Sequence, residues 1–193
     1  MPWETSFDVD EVIDRATKVF WAKGYEATSL GDLIKATGIN KGSIYNTFGS
    51  KKELFTRALL KYDREQRAQT LAGLSALNDP HLAIETLFDA LIAQSIEDDE
   101  RKGCLLINTA LDLPNHDEDI EKTVKNGLQD FQRFFEQQIA LGKEQGSIDK
   151  QLDLETTAAG LLTLVVGLRV LARGVFDETG LAAIKSQAID LLS

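Results

Sequence analysis

Val9, Val12, Ile13, Ala16, Val19 and Phe20 recur at spacings of three and four. That period places them on one face of a helix that ends at Lys23-Gly24, where glycine can take the left-handed C-terminal conformation. Ser29 with Asp32 three residues on resembles a capping box and opens a short helix to about Thr37, with Leu30, Leu33 and Ile34 facing inward. Gly38 breaks it, and Asn40 can cap the next helix, Lys41 to Phe48. The turn Gly38-Ile39-Asn40 has the length and glycine content of a helix-turn-helix. Ser50 and Glu53 form a complete capping box, opening a long amphipathic helix through about Leu77. After the turn signal Asn78-Asp79-Pro80, further helices are predicted near 81–97, 103–113, 117–145, 154–174 and 179–192, with Pro114 and Gly146 marking two of the breaks. The pattern predicts an all-α chain of about nine helices. A three-helix unit over residues 1–50 joins residues 51–193 through the helix starting at Lys51.

Composition agrees with that reading. Among 193 residues there are 27 Leu and 19 Ala against 8 Val and 3 Pro, a balance that favours helices over a sandwich or barrel. The length suits one large domain or two small ones. The formal net charge is −10, so the chain as a whole is neither a nucleic-acid coat nor a membrane-surface binder. The charge is unevenly spread. Residues 1–60 carry eight acidic and eight basic side chains, and all the excess negative charge lies beyond them. Between 35 and 57, Lys35, Lys41, Lys51, Lys52 and Arg57 are opposed only by Glu53, which makes a local basic patch. The longest uncharged apolar run, Thr156 to Leu168, has 13 residues, too short to span a bilayer. The opening MPWETSFDVDE shows no export signal. A single cysteine, Cys104, leaves no intrachain disulfide framework and no multi-cysteine zinc site. A soluble, cytoplasmic protein without a membrane partner is expected.

On the helix Lys41 to Phe48, Ile44 and Phe48 share the inward face. At 100° per residue Gly42, Ser43 and Asn46 fall opposite, with Tyr45 and Thr47 at the edges. Such a small, polar face suits a major groove. Ser and Thr bond either base type, Asn can bind adenine bidentately, and Tyr can reach a phosphate or a thymine methyl. Lys41 and Lys51, each at a helix N-terminus, would add phosphate contacts.

The segment from Ala16 to Leu60 closely resembles the DNA-binding region of the TetR family of transcriptional regulators. The shared features are Phe20-x-x-x-Gly24-Tyr25, Thr28-Ser29-Leu30, Ala36-x-Gly38, Ser43-Ile44-Tyr45 and Phe48-x-Ser50-Lys51-x-x-Leu54. The resemblance implies a homodimeric repressor of a palindromic double-stranded operator, with a C-terminal helical domain for dimerisation and ligand binding. It marks Thr28 and Lys51 as phosphate contacts beside Ser29, and Lys41, Gly42, Ser43, Tyr45, Asn46 and Thr47 as the groove-facing set. Asn46 and Thr47 depart from the family's commoner aromatic and histidine, so the base preference does not carry over.

The rest of the chain supports this division. The helix over 154–174 is apolar on nearly all sides, more than one protomer's core requires, and the helix over 179–192 adds a second apolar face. A four-helix dimer seam through Leu161, Leu164, Gly167, Leu168, Leu181 and Ile184 is expected. For a ligand pocket, Phe131, Phe134 and Phe135 with Phe88 and Leu91 could line a cavity or simply fill the core. The stretch Lys102 to Ala110 resembles the Gly-Cys-containing helix of one regulator subgroup, which places Cys104 and Asn108 near the pocket.

Cys104 follows Arg101, Lys102 and a glycine at a predicted helix start, a setting that favours thiolate, while Asp98, Asp99 and Glu100 oppose it. A small apolar or an electrophilic ligand fits this region. Enzyme signatures are missing: the chain has no G-x-S-x-G, phosphate-cradling glycine loop or H-E-x-x-H, and His81 and His116 have no local metal-ligand partner. Both histidines are expected at the surface or as caps, and neither metal nor cofactor is expected. The competing reading is a ligand-binding or thiol-sensing helical protein whose DNA-binding unit survives only as scaffold.

Overall fold

The computed structural model describes residues 7–193, so the first six residues of the N-terminal stretch read for export signals lie outside it. The order is α1 (Val9–Lys23), α2 (Leu30–Thr37), α3 (Lys41–Phe48), α4 (Lys51–Asp63), a π-helical turn (Arg64–Ala68) and α5 (Gln69–Ser75). Then follow α6 (Pro80–Ile96), α7 (Leu105–Leu111), a short 3-10 turn (Leu113–Asn115), α8 (Glu118–Gln145), α9 (Leu154–Leu171) and α10 (Glu178–Asp190). With α4, the π turn and α5 taken as one rod, the described residues form nine α-helical rods and no strand. Side chains fix most of the starts: Asp8, Ser29, Asn40, Ser50, Asp79, Asp117, Asp153 and Asp177 each accept a backbone N–H from the first turn of the helix they precede.

Two apolar clusters divide the molecule. One joins α1–α4 through Phe20, Leu33, Ile44, Phe55 and Leu59, and extends to Leu105, Leu106, Ile120 and Val124 of α7 and α8. The other gathers α5, α6, α9, α10 and the C-terminal half of α8. The expected boundary at residue 50 therefore cuts through a packed unit, because α4 buries Leu54, Phe55, Ala58, Leu59 and Tyr62 against the N-terminal helices and α7–α8. At 28 residues, α8 is about 42 Å long at 1.5 Å per residue and ties the two clusters together.

The long helix expected from Lys51 to about Leu77 is present as α4 and α5, joined by a π turn. Within it Arg67 donates to both oxygens of Asp63, each at 2.6 Å, and reaches Asp130 of α8 at 2.6 Å. Gly127 lets α8 approach here, since a Cβ at that position would lie 2.7 Å from Leu106 and 3.0 Å from Asp63.

The structure also corrects several residue assignments. Leu161, Leu168, Leu181 and Ile184, expected at a dimer seam, are buried in the protomer's own core, where α9 packs on α6, α8 and α10. Leu164 and Gly167 stay half-buried, and a Cβ on Gly167 would meet nothing within 4 Å. Phe135 is core rather than pocket lining, packed edge-on against Phe134. His116 is not at the surface. Its side chain is 2% exposed, stacked on Phe55 and tilted against Tyr25.

Candidate nucleic-acid interface

The geometry of α3 follows from its two ends and its inward pair. The Asn40 side chain accepts the Ser43 N–H at 2.9 Å, and the Gly49 N–H closes the helix on the Tyr45 carbonyl at 2.8 Å. Ile44 and Phe48 are buried in the N-terminal core, which fixes the helix's rotation. Lys41, Gly42, Tyr45 and Asn46 are consequently exposed, Tyr45 at 45%, while Ser43 and Thr47 are half-buried at the edges. The Lys41 ammonium lies 5.8 Å from the Tyr45 ring centroid, so cation and phenol share one ridge.

Three other nominated residues are already occupied. Thr28 is 1% exposed and its hydroxyl donates to the Gly24 carbonyl at 2.6 Å, so it builds the turn after α1. Ser29 exchanges hydrogen bonds with Asp32 in a reciprocal capping box, and hydrogen bonds from Lys23 and Ser29 hold the Asp32 carboxyl well below the usual carboxylate range. Lys51 donates to the Tyr25 and Thr28 carbonyls, both at 2.9 Å, with its ammonium 4.3 Å from the Tyr25 ring centroid. It fastens the start of α4 to the α1–α2 turn. The basic patch is correspondingly thinner than its lysine count suggests. Lys52 pairs with Asp117 and Arg57 with Glu53, while Lys35 and Lys41 are exposed without an ion-pair partner among the described residues.

The other nominated residues surround α7. Cys104 precedes α7 and, with Phe131, lines a chamber of about 40 Å³. Asn108 faces a separate cavity of about 200 Å³ beside Tyr25, Phe55 and His116. There its amide donates to the Lys102 carbonyl at 2.7 Å and accepts from Arg173 at 3.3 Å, bracing the loop before α7. Beside these, a cleft of about 490 Å³ opens between α1, α4 and the loop following α6. Nothing in the sequence singled out Trp21, Tyr62 or Arg169 of its lining as site residues. Arg169 carried a signal all the same, as the first charge to interrupt the apolar run of α9. Burial, with neighbouring Cys104 second, pushes the Tyr62 phenol far above its ordinary value.

Comparison with known proteins agrees with this arrangement. Residues 12–58 match the model of bacterial regulatory proteins of the tetR family, and residues 82–187 match a tetracyclin repressor-like C-terminal domain. The HTH-type transcriptional repressor ComR of Escherichia coli is 33% identical over 175 residues, covering 86% of this chain and 80% of its own. An uncharacterized HTH-type regulator of Bacillus subtilis, YezE, is 30% identical, covering 89% of each chain. Among solved structures, a cysteine mutant of the TetR family regulator CifR, complexed with a 26-base-pair operator, superposes with a TM-score of 0.86. It is 26% identical, and the match covers 98% of this chain and 99% of that one. With both halves of the chain matched and the helix-turn-helix in place, the protein belongs to the TetR family of bacterial regulatory proteins.

Proposed function

We propose that the chain is a transcriptional repressor. As a homodimer it sets the α3 of each protomer into the major groove of a palindromic operator, and a small molecule bound beneath α7 releases it. The observation that carries this reading is the free face of α3. Capping by Asn40 and burial of Ile44 and Phe48 leave Lys41, Gly42, Tyr45 and Asn46 exposed on one ridge. Those side chains can position on phosphate and read base edges. ComR's description as a repressor and CifR's complex with an operator support the same role here.

Dimerisation is supported by α9. Only 33% of this 18-residue helix is buried within the protomer although its mean hydropathy is 1.6, which is apolar enough to cross a membrane by composition alone. Leu164, Val166, Gly167 and Val170 are half-buried on it, and a second copy of α9 and α10 would cover them. The reading assigns the chain no catalysis, cofactor or resident metal, and places it in the cytoplasm with its DNA. Selecting duplexes from a random pool with the full chain tests it. A palindrome whose half-site centres lie about 34 Å apart, or at a bent or overlapping variant of that spacing, is expected at two or more protomers per duplex. A pool that stays unenriched would refute the reading.

A further inference from the structure

Arg169 is 6% exposed, and no carboxylate lies within ion-pair distance of it among the described residues. Its Nη1 donates to the Leu91 carbonyl at 3.3 Å and to Ser95 Oγ at 3.0 Å, and its Nη2 to the Gly103 carbonyl at 3.4 Å. Its Nε has no partner among the described residues. A buried cation with only neutral acceptors and an idle donor is costly, so such a group calls for an anion. Arg169 also stands where two spaces meet, lining both the 490 Å³ cleft and the 40 Å³ chamber. The chamber wall is mostly apolar, with Leu91, Leu106, Phe131 and Val165, and is too small for more than a few atoms. The cleft falls within the size range of small-molecule sites and carries Trp21 and Tyr62, edge to face at 5.0 Å, as an aromatic wall.

We infer that this cleft takes a small amphipathic monocarboxylate. Its carboxylate accepts from Arg169 and its apolar body lies against Trp21 and Tyr62. The rim sets the charge limit, since Glu97, Asp98, Asp99 and Glu100 line the same cleft, and Lys102 is already paired with Glu100 at 2.7 Å. One negative charge reaches the buried guanidinium, whereas a second would face four carboxylates.

The same contacts supply a route to the DNA-binding unit, a step that rests on the chain being a ligand-released regulator. The Gly103 carbonyl accepts from Arg169 and also from Trp21 Nε1 of α1 at 3.1 Å, while the Gly103 N–H donates to Asp98 at 2.8 Å. Gly103 has a φ of 71°, and a Cβ there would lie 2.9 Å from Arg173, so the loop is fitted closely around this one carbonyl. A carboxylate that draws Arg169 away weakens the hold of that loop on Trp21 and thereby on α1.

Titrating the free full-length protein with 3-phenylpropionate, its neutral amide and the dianion phenylsuccinate, by calorimetry, tests the site. The monoacid is expected to bind about tenfold or more tighter than the amide, since charge-assisted hydrogen bonds are the stronger kind, and tighter than the dianion. Arg169→Gln should erase the preference for acid over amide. Because a variant at a buried position can fail to fold, the exposed double substitution Asp99→Asn with Glu100→Gln serves beside it. It should raise phenylsuccinate affinity toward that of the monoacid. An amide that binds the wild type as well as the acid, or no acid binding at millimolar concentration, overturns the site even if the chain binds an operator normally. A chain that binds the acid but no operator overturns the repressor reading and leaves the site standing. Acid binding that leaves operator affinity unchanged overturns the Gly103 route.

Discussion

Lys51 and His116 are the side chains whose positions differ most from what their types suggest, and each carries a consequence. The Lys51 ammonium holds two carbonyls of the α1–α2 turn, so Lys51→Met keeps the stem over Tyr25 but leaves both acceptors without their donor. Unfolding stability in urea should fall by about 1 to 2 kcal/mol, the low end for hydrogen bonds to charged groups because the site is part-exposed. A change in DNA affinity with no change in stability would show that Lys51 serves the phosphate alone. His116 is held below its ordinary pKa chiefly by burial, against the opposing pull of Asp112 and Glu26. The unfolded chain therefore takes up a proton that the folded chain resists, so the unfolded state binds more protons and stability rises with pH. Stability should be complete above about pH 6.5 and decline as pH falls below it, and His116→Gln should flatten that decline. An identical pH profile in the variant would clear His116 of the effect. At this scale the exposed ridge of α3 was legible, because Ile44 and Phe48 lie about one helical period apart on a single face, while Asn46, two residues from each, falls opposite with Tyr45 at its edge. The internal bonds of Thr28, Ser29 and Lys51 were not legible, because a hydroxyl or ammonium that binds backbone looks the same in sequence as one that meets a phosphate.

Helix ends were the most legible elements, since Ser29, Asn40, Ser50 and Asp79 declare themselves by type and spacing before an apolar period. The π turn at Arg64–Ala68 was invisible. It contains neither Gly nor Pro, and it accompanies tertiary contacts, Arg67 to Asp63 and Asp130, that no local pattern encodes. A second tertiary feature is equally specific. Gly142 of α8 lies under Ile148, where an added Cβ would come within 2.5 Å of Ile148 Cδ1 and 3.1 Å of its Cβ. Ile148 is itself buried and cannot swing into solvent, so Gly142→Ala should destabilise the chain by about 1 to 3 kcal/mol through overpacking. Chemical denaturation measures it, and a neutral or stabilising result, as the better helix propensity of alanine alone would give, contradicts the packing of the α8–α9 loop.

For the whole molecule, the apolar excess of α9 announced a second covering surface, but periodicity could not say which of its sides was already covered at home. Leu161 and Leu168 went to the protomer core, and the residues left for a partner include Leu164 and Gly167. Gly167→Glu adds a side chain where the protomer has open space, so the fold should survive while a buried, unpaired carboxylate splits the dimer. Light scattering should report a monomer, and an unchanged dimer mass would move the seam off this face. Similarly, the DNA-binding unit was readable from 45 contiguous residues. The cleft was not, because Trp21, Tyr62 and Arg169 come from three distant segments and meet only in the fold. Recognition of DNA by α3 is the central claim for this protein. Operator affinity of the wild type and Tyr45→Ala, measured by fluorescence anisotropy on the selected duplex and on a scrambled one, tests this directly. The substitution is expected to cost about 1 to 3 kcal/mol on the selected duplex, with little change on the scrambled one and none in melting temperature. Equal affinity of wild type and variant for the selected duplex would contradict it.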